Sequence, residues 1–274
     1  MAADSKTTRA LLSELIDYAG LFPPAGLDMA AAVREYASYL AGEYSWMLGR
    51  FVVQAGRIAE FEKAASRYFG GRKWKIALLG RPEKPVEVDA VELRAERIRD
   101  IRPIAGADTY FEVTPALSLE ATIEAIAKAG VRAKIRTGGL TAEAFPEAGR
   151  VARFLALCHK NGVAFKATAG LHHPVRGEHP FTYDPRSARG MMFGFVNLFL
   201  AAILIFNGAN EGDAAQLLEE RSADAFRFDN DVVCWRKYRI TPEQIRQARE
   251  HFAISFGSCS FEEPVRELEA MGLL

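Results

Sequence analysis

The alternation of short apolar runs with longer amphipathic stretches predicts an α/β protein built on a parallel sheet. The pattern repeats about eight times along 274 residues, and eight strand and helix units in roughly 250 residues are the size of a (β/α)₈ TIM barrel. We see no linker rich in Gly, Pro or Ser that divides the chain. The sequence therefore predicts a single barrel domain over 1–274, with an enlarged, irregular region at about 174–247 between strands 7 and 8.

Each predicted strand is a short apolar run bounded by turn residues, and apolar residues recur at helical spacing between the runs. The strands are predicted at 15–22, 50–54, 74–80, 88–94, 109–114, 131–136, 163–168 and 252–257. The helices are predicted at 28–47, 58–69, 117–129, 141–160 and 214–221, with a helical stretch reaching 101 and a terminal helix over 262–274. The segment RFDNDVVCWRKY at 227–238 predicts a small hairpin or strand outside the barrel.

Charge and composition favour a small-molecule partner over a polymer or a lipid surface. Lysine plus arginine equals aspartate plus glutamate at 35 each, so no overall field attracts nucleic acid or an anionic membrane. Three cysteines without metal-like spacing, and an N-terminus without a signal peptide's apolar core, predict a reducing cytoplasm. The uncharged segment 191–209 approaches bilayer length, but we interpret it as a buried helix or as a subunit contact in a homo-oligomer.

Two lysines occupy matching positions on the sixth and seventh predicted strands, Lys134 in AKIRTGG and Lys166 in FKATAGLHHP. The strand period of two puts Lys134 on one face with Arg136, and Lys166 on one face with Thr168. These faces should point into the barrel because the alternate positions are apolar. Burial and a neighbouring ammonium both lower the pKa of a lysine, so we expect a neutral amine that forms a Schiff base with a carbonyl substrate. The competing interpretation of each lysine is a salt bridge at the barrel rim.

Carboxylates stand on three other predicted strands. Asp17 lies on the first, Asp89 and Glu92 on the fourth, and Glu112 on the fifth. A carboxylate beside the amine could carry the protons that carbinolamine and enamine steps require. Asp89 and Glu92 have opposite parity, so only one of them can face the interior of a regular strand.

Loops after the last strands contain small residues suited to an anion. FGSCSF at 256–261 joins the last strand to the last helix, where Ser258 and Ser260 could hold an anion beside backbone N–H groups. Gly170 lies in the neighbouring loop after the seventh strand. Either serine could instead serve only as the N-cap of the terminal helix.

The loop HHPVRGEH contains His172, His173 and His179 near the predicted barrel mouth. Imidazole groups could bind zinc or iron there. Adjacent histidines seldom point at one ion, however, and no carboxylate is obviously tied to them. We therefore expect His172 and His173 to contact the substrate or to have a structural role, and we expect no metal or other cofactor.

Together these motifs resemble deoxyribose-phosphate aldolase and its class I aldolase relatives. LIDYAGLFPP, VEVDAV, AKIRTGG, KATAGL and FGSCS are similar to that family's first, fourth, sixth, seventh and eighth strands, in the same order along nearly the whole chain. The resemblance implies that Lys134 is the Schiff-base lysine and Lys166 the ammonium that lowers its pKa. It also implies that Asp89 relays protons and that Asp17 supports the site from the first strand.

The same resemblance places Gly170, Ser258 and Ser260 on the side that receives a substrate phosphate. The chain departs from the family there. LFPP stands where the family usually has a lysine, Ala169 replaces a glycine before LHHP, and the stretch between the last two strands is longer. We therefore expect an aldolase relative with a different substrate.

Three functions follow from these observations as hypotheses. The first is a carbon–carbon lyase that acts on a small carbonyl substrate through an imine on Lys134. The second is a metal-assisted hydrolase or isomerase that uses His172, His173 or His179 with Glu112, and the third is a barrel that binds a small molecule without turnover. The residues expected to contact the substrate are Glu92, Glu112, Arg136, Thr168, Gly170, His172, His173, Ser258 and Ser260.

Overall fold

Eight parallel strands close into a barrel, as the sequence predicts. The computed structural model describes residues 5–68 and 73–274. In these residues the strands, in chain order, are β1 (Ile16–Tyr18), β2 (Leu48–Gln54), β3 (Ile76–Leu79), β4 (Ala90–Arg94), β5 (Asp108–Glu112), β6 (Arg132–Arg136), β7 (Phe165–Thr168), β8 (Gly177–Pro180), β9 (Arg189–Met192), β10 (Phe226–Phe228), β11 (Val233–Trp235), β12 (Tyr238–Ile240) and β13 (Ala253–Ser258). The barrel order is β1-β13-β7-β6-β5-β4-β3-β2.

Helices cover the outside of the barrel. The described α-helices are α1 (Lys6–Leu12), α2 (Met29–Ala41), α3 (Ile58–Ala65), α4 (Leu119–Lys128), α5 (Ala148–Lys160), α6 (Phe195–Phe206), α7 (Glu211–Leu218), α8 (Pro242–His251) and α9 (Glu262–Ala270). Single 3₁₀ turns occur at Ser45–Met47, Ala55–Arg57, Ile98–Asp100, Ala142–Ala144 and Ala223–Ala225. The helix predicted over 58–69 ends at Ala65, and residue 69 lies outside the described residues.

Strand parity separates a barrel interior from the layer between sheet and helices. The interior holds a small apolar cluster of Val52, Ala77, Ala90 and Tyr110. The alternate residues pack outward into the main core, and they include the positions expected to do so, namely Val131, Ala133, Ile135, Phe165 and Ala167. Because these neighbours face outward, Lys134 and Lys166 face the barrel interior, as predicted.

Two of the predicted helices are shorter in the structure. The stretch predicted to be helical up to residue 101 contains only the 3₁₀ turn Ile98–Asp100. The helix predicted over 141–160 is divided into Ala142–Ala144 and α5, with Pro146 at the break. Phe145 is extended at this break, with φ −92° and ψ 116°.

The region between β7 and β13 is ordered rather than irregular. It contains the antiparallel pair β8–β9, the helices α6 and α7, an antiparallel sheet β10-β11-β12, and α8. Residues 195–205 of α6 are buried within the chain, which confirms the buried-helix interpretation of the uncharged segment. None of the described helices combines the length and the apolar character needed to cross a membrane.

Candidate active site

Lys134 and Lys166 meet inside the carboxyl-terminal half of the barrel. They are direct register partners on the parallel pair β6 and β7, which confirms their predicted common depth. Lys134 is 4% exposed and Lys166 is 1% exposed. Both line one cavity, so the two amines lie in a space that is largely closed to bulk water.

A carboxylate lies between the two amines. Glu92 on β4 contacts Lys166 Nζ through Oε1 at 2.5 Å and Lys134 Nζ through Oε2 at 2.8 Å. Asp17 Oδ2 lies 2.6 Å from Lys166 Nζ, and Glu112 Oε2 lies 3.3 Å from Lys134 Nζ. Arg94 then donates to Glu112 Oε1 at 2.5 Å. We call this alternation of acid and base the charge chain; its members in order are Asp17, Lys166, Glu92, Lys134, Glu112 and Arg94.

The charge chain changes the expected electrostatics of the lysine pair. Burial disfavours the Lys166 ammonium, but Asp17 and Glu92 outweigh burial and raise the pKa of Lys166. Burial likewise opposes ionisation of Glu92, yet Lys134 and Lys166 lower its pKa to about 2. From the sequence we expect each lysine to lower the pKa of the other. This expectation is wrong for Lys166, because Glu92 lies between the two amines and, with Asp17, raises the pKa of Lys166. Lys166 is held as an ammonium.

Glu92, and not Asp89, is the carboxylate of the fourth strand that reaches the lysines. Glu92 is 3% exposed and shares inward parity with Ala90 of the interior cluster. Asp89 precedes β4, is half-buried, and accepts a hydrogen bond from the Ile76 N–H at 2.8 Å where β3 begins. Asp89 therefore lies about three residues, or roughly 10 Å, towards the amino-terminal end of the barrel from Glu92. The proton-relay position that the resemblance gave to Asp89 is corrected accordingly.

Asp17 lies beneath Lys166, as its position on the first strand suggested. Its Oδ2 also accepts from Ser255 Oγ at 2.8 Å, and its Oδ1 accepts from the Arg50 N–H at 2.7 Å. Three donors thus hold this fully buried carboxylate in place. Ser255 is an inward-facing residue of β13 that we did not predict from the sequence, although strand parity alone could have placed it beside Asp17.

The cavity above the charge chain has a volume of about 230 Å³. Its polar wall includes Arg136 and Thr168, the neighbours of the two lysines on their strands. Arg136 is exposed and has no hydrogen-bond or ion-pair partner within the described ranges. Apolar side chains complete the wall, among them Phe22, Val52, Leu79, Leu140, Phe181 and Met192. Glu92 is the carboxylate among the described lining residues, so the cavity has an excess of basic groups.

The side expected to receive a phosphate is built differently. Gly170, at φ +71°, approaches Gly138 so closely that an added Cβ would lie 2.9 Å from the Gly138 Cα and 2.7 Å from the Phe145 ring. Ser260 Oγ accepts from the Glu263 N–H in the first turn of α9 at 3.1 Å, but the N-cap residue of α9 is Phe261. Ser258 Oγ accepts from the Ser260 N–H at 3.4 Å. Gly170 lines the cavity, but neither serine is among the described residues that line it. Ser260 therefore supports the start of α9 from the position before its N-cap, and the N-cap interpretation is wrong for both serines.

The histidines after β7 contact carboxylates of α9. His172 Nδ1 lies 3.1 Å from Glu263 Oε2, and His173 Nδ1 lies 2.6 Å from Glu267 Oε1. Burial lowers the pKa of His172, but hydrogen bonds to Cys259 and Glu263 outweigh it and raise that pKa to about 10. The hypothesis that paired these histidines with Glu112 is corrected, because Glu112 contacts Lys134 and Arg94 instead.

His179 and the hairpin β8–β9 were only partly anticipated. The His179 ring stacks on His173 with 3.4 Å between centroids, and burial together with His173 lowers the pKa of His179 to about 4. Phe181 and Met192 of the same hairpin region line the cavity. The hairpin could not be predicted from the sequence, because its two strands are only four residues each.

The fold and the site together define a barrel protein with buried ionisable side chains at the carboxyl-terminal ends of its strands, which is where barrel enzymes hold their chemistry. Comparisons of the chain with protein-family models, with curated proteins and with solved structures gave no match. Any activity is therefore inferred from the chemistry of this site.

Proposed function

We propose that the chain is a carbon–carbon lyase of the class I aldolase type, in which Lys134 forms a Schiff base with a small carbonyl compound. The observation that carries the proposal is the Lys134 amine, buried between two carboxylates in a cavity of the barrel. A lysine in such a position can act as a nucleophile once it transfers one proton to a neighbour.

Glu112 is the residue to which we assign that proton. Glu92 is held by both lysines, and its pKa of about 2 makes it a poor acceptor. Burial opposes ionisation of Glu112, and Lys134, Arg94 and Arg136 outweigh burial and lower its pKa as well. Glu112 nevertheless contacts only one of the two buried lysines, at 3.3 Å, and its other ion-pair partner among the described residues is Arg94, whose side chain is 65% exposed. Proton transfer from Lys134 to Glu112 converts a buried ion pair into a neutral amine and a neutral acid, which loses less by exclusion of water.

The reaction then needs only protons that these two groups carry. The neutral Nζ adds to the carbonyl carbon and one of its protons moves to the oxygen, which gives a carbinolamine. Protonated Glu112 then gives its proton to that hydroxyl, which leaves as water and yields an iminium. Glu112 is not among the described residues that line the cavity, so in the cleavage direction a water molecule passes the β-hydroxyl proton to Glu112 as the carbon–carbon bond breaks. The electrons of that bond form the enamine, and an aldehyde leaves. Glu112 returns the proton to the enamine carbon, and water hydrolyses the iminium to release the second product.

Lys166 has a supporting electrostatic role in this proposal. Because its pKa is raised, Lys166 stays an ammonium, and its positive charge balances the negative charge of Glu92. A Glu92 carboxylate shared with Lys166 attracts the Lys134 proton less strongly than an unshared carboxylate would. Lys166 therefore assists deprotonation of Lys134 through Glu92 rather than by direct repulsion.

The cavity wall favours a small anionic substrate. Its volume of about 230 Å³ is that of a site for a small molecule. Arg136 stands on this wall without an ion-pair partner among the described residues, and an arginine recognises carboxylate or phosphate oxygens through two parallel hydrogen bonds. We therefore place a carboxylate or phosphate group of the substrate beside Arg136.

Trapping with borohydride tests the covalent step. The wild-type protein is incubated with a panel of small aldehydes, ketones and 2-oxo acids plus borohydride, and intact mass and peptide maps are recorded. We expect an irreversible adduct on the peptide that contains Lys134. Lys134→Met should abolish it, whereas Lys63→Met, an exposed lysine change on α3, should leave it unchanged. No adduct on Lys134 with any compound of the panel would contradict the proposal.

A comparison of charged and neutral carbonyl compounds tests the role of Arg136. Arg136→Gln should raise KM for an anionic substrate by roughly 10- to 100-fold, as loss of one charge-assisted hydrogen-bond pair of about 1.5–3 kcal/mol requires, and should affect a neutral analogue little. Arg34→Gln, an exposed change on α2, is the matched control. An equal loss for both substrates would argue against an anion at Arg136.

A further inference from the structure

A second group of ligand atoms lies at the rim of the barrel, apart from the charge chain. His173, Glu263 and Glu267 each offer one ligand atom, and these atoms lie within 4.8 Å of one another. His173 is 8% exposed, and both glutamates are half-buried. We propose that these three side chains bind a divalent transition-metal ion, and that Zn²⁺ is the ion their nitrogen and oxygen donors fit best.

The fold brings these donors together from two distant segments. His173 follows β7, while Glu263 and Glu267 are four residues apart on α9 and so project from one face of the helix. Like charges at this spacing repel each other and weaken a helix unless a cation lies between them. The His173 ring already reaches Glu267 at 2.6 Å, and a cation bound here would replace this direct contact.

Further donors surround the three ligands. His172 Nδ1 lies 3.1 Å from Glu263 Oε2, and the Tyr183 hydroxyl donates to the same oxygen at 3.1 Å. Cys259 Sγ lies 4.0 Å from His172 Nε2. Zinc takes four ligands, and sites with three protein ligands keep the fourth position for water or another group. We assign the fourth position to water; His172, which contacts Glu263 and lines the cavity, stands beside the proposed ion.

The proposed ion would connect the loop after β7 to α9. His172 and Cys259 belong to the cavity wall, so the ion would also fix the shape of that wall. The proposed metal site is formed by the rim residues alone and does not depend on imine formation at Lys134. Without a metal, the same side chains would form only two histidine–glutamate ion pairs, and the experiment separates the two arrangements.

Calorimetric titration of chelator-stripped protein with ZnCl₂, supported by elemental analysis after dialysis, tests the site. We expect one Zn²⁺ per chain. Glu263→Gln, Glu267→Gln and His173→Ala should each weaken binding at least as much as the roughly 10- to 100-fold that loss of an outer-shell partner costs. Glu262→Gln on the same helix and His251→Ala on α8, both exposed, should bind as the wild type does.

Circular dichroism and thermal unfolding guard against variants that bind poorly because they fail to fold. Zn²⁺ should raise the Tm of the wild type and of Glu262→Gln equally, and should raise that of a folded Glu263→Gln protein less at the same Zn²⁺ concentration. Absence of stoichiometric Zn²⁺ on the wild type overturns the proposal. Equal Zn²⁺ affinity, or an equal Tm shift, in wild type and Glu263→Gln overturns it as well.

Discussion

Inside the barrel, acids and bases alternate along the charge chain, and its five inner side chains are at most 7% exposed. At the rim, histidines and glutamates also alternate, but the side chains of Glu263 and Glu267 are 22% and 38% exposed. Buried charges cannot be compensated by water when a partner is lost, whereas rim charges can. The comparison teaches that similar acid–base patterns make each partner indispensable to stability in the buried region and much less so at the rim, where water reaches the charges.

The largest expected effect is on stability, from Lys166→Met. This change leaves Asp17 and Glu92 buried without the cation that both contact. Breaking a buried ion pair in this way costs about 3–5 kcal/mol, so the free energy of unfolding should fall by that amount in denaturant titrations. The rim change Glu263→Gln, measured in chelator, should cost less than about 1 kcal/mol. Similar losses for the two variants would remove the distinction between the regions.

A double change sharpens the same point. In Lys166→Met with Glu92→Gln, the second substitution removes one of the carboxylates that the first leaves unpaired. The double variant should therefore be less destabilised than the sum of the two single variants, as expected for residues in direct contact. Additive losses would show that the two side chains do not act as a pair.

Acid should destabilise the protein next most strongly, through Glu92. Its pKa of about 2 in the folded chain lies below the ordinary value of 4.5, so its contribution is present at neutral pH and is lost as pH falls from about 5 towards 2. At about 1.36 kcal/mol per pKa unit this amounts to about 3 kcal/mol. Lys166 adds nothing to this change, because its raised pKa affects stability only in strong alkali.

Unfolding free energies measured between pH 7 and pH 3 check this dependence. Glu92→Gln should be less stable than the wild type at pH 7 and should lose less stability on acidification, because Gln does not titrate. The Glu263→Gln variant keeps Glu92, so the part of its pH-dependent stability that Glu92 causes should be the same as in the wild type. Parallel curves for the wild type and Glu92→Gln would contradict the assignment.

The barrel and the lysine pair could be predicted because both depend on local periodicity. Lys134 and Lys166 sit at equal distances from the ends of two consecutive apolar strands, and parallel pairing carries that match directly into space. The bridging carboxylates could not be placed, since Asp17 and Glu92 lie 149 and 74 residues from Lys166 in the chain. Parity showed that Asp89 and Glu92 differ in direction, but not which of them faces inward.

Some missed elements did have signals in the sequence. The helix α8 begins with a capping box, in which Thr241 and Gln244 exchange hydrogen bonds and Pro242 occupies the first turn. The rim carboxylates Glu263 and Glu267 show helical spacing on a terminal helix that was itself predicted. Their meeting with the histidine loop could not be foreseen, because it depends on how the hairpin and α9 pack around the barrel mouth.

A smaller effect concerns the backbone that joins the two regions. Gly170 lies between Lys166 and His172 at φ +71°, and a Cβ there would meet Phe145 and Gly138. Gly170→Ala should lower the free energy of unfolding by about 1–3 kcal/mol. Gly208→Ala is the matched control, since Gly208 has φ +90° but nothing within 4 Å of the added Cβ, and should cost about 1 kcal/mol. Equal costs would show that close packing at Gly170 is unimportant.

The smallest effect, and the one that separates the regions most directly, is that of salt. Screening acts on exposed charges within a Debye length of about 8 Å at 0.15 M salt and affects buried pairs much less. In chelator, the loss caused by Glu267→Gln should be below about 1 kcal/mol and should shrink further between 0.05 and 1 M NaCl, about the range over which screening becomes strong. The loss caused by Lys166→Met should stay nearly constant over the same range. If the stability lost in Lys166→Met depended on salt, water would have to reach the charge chain. The proton exchanged between Lys134 and Glu112 could then also come from solvent.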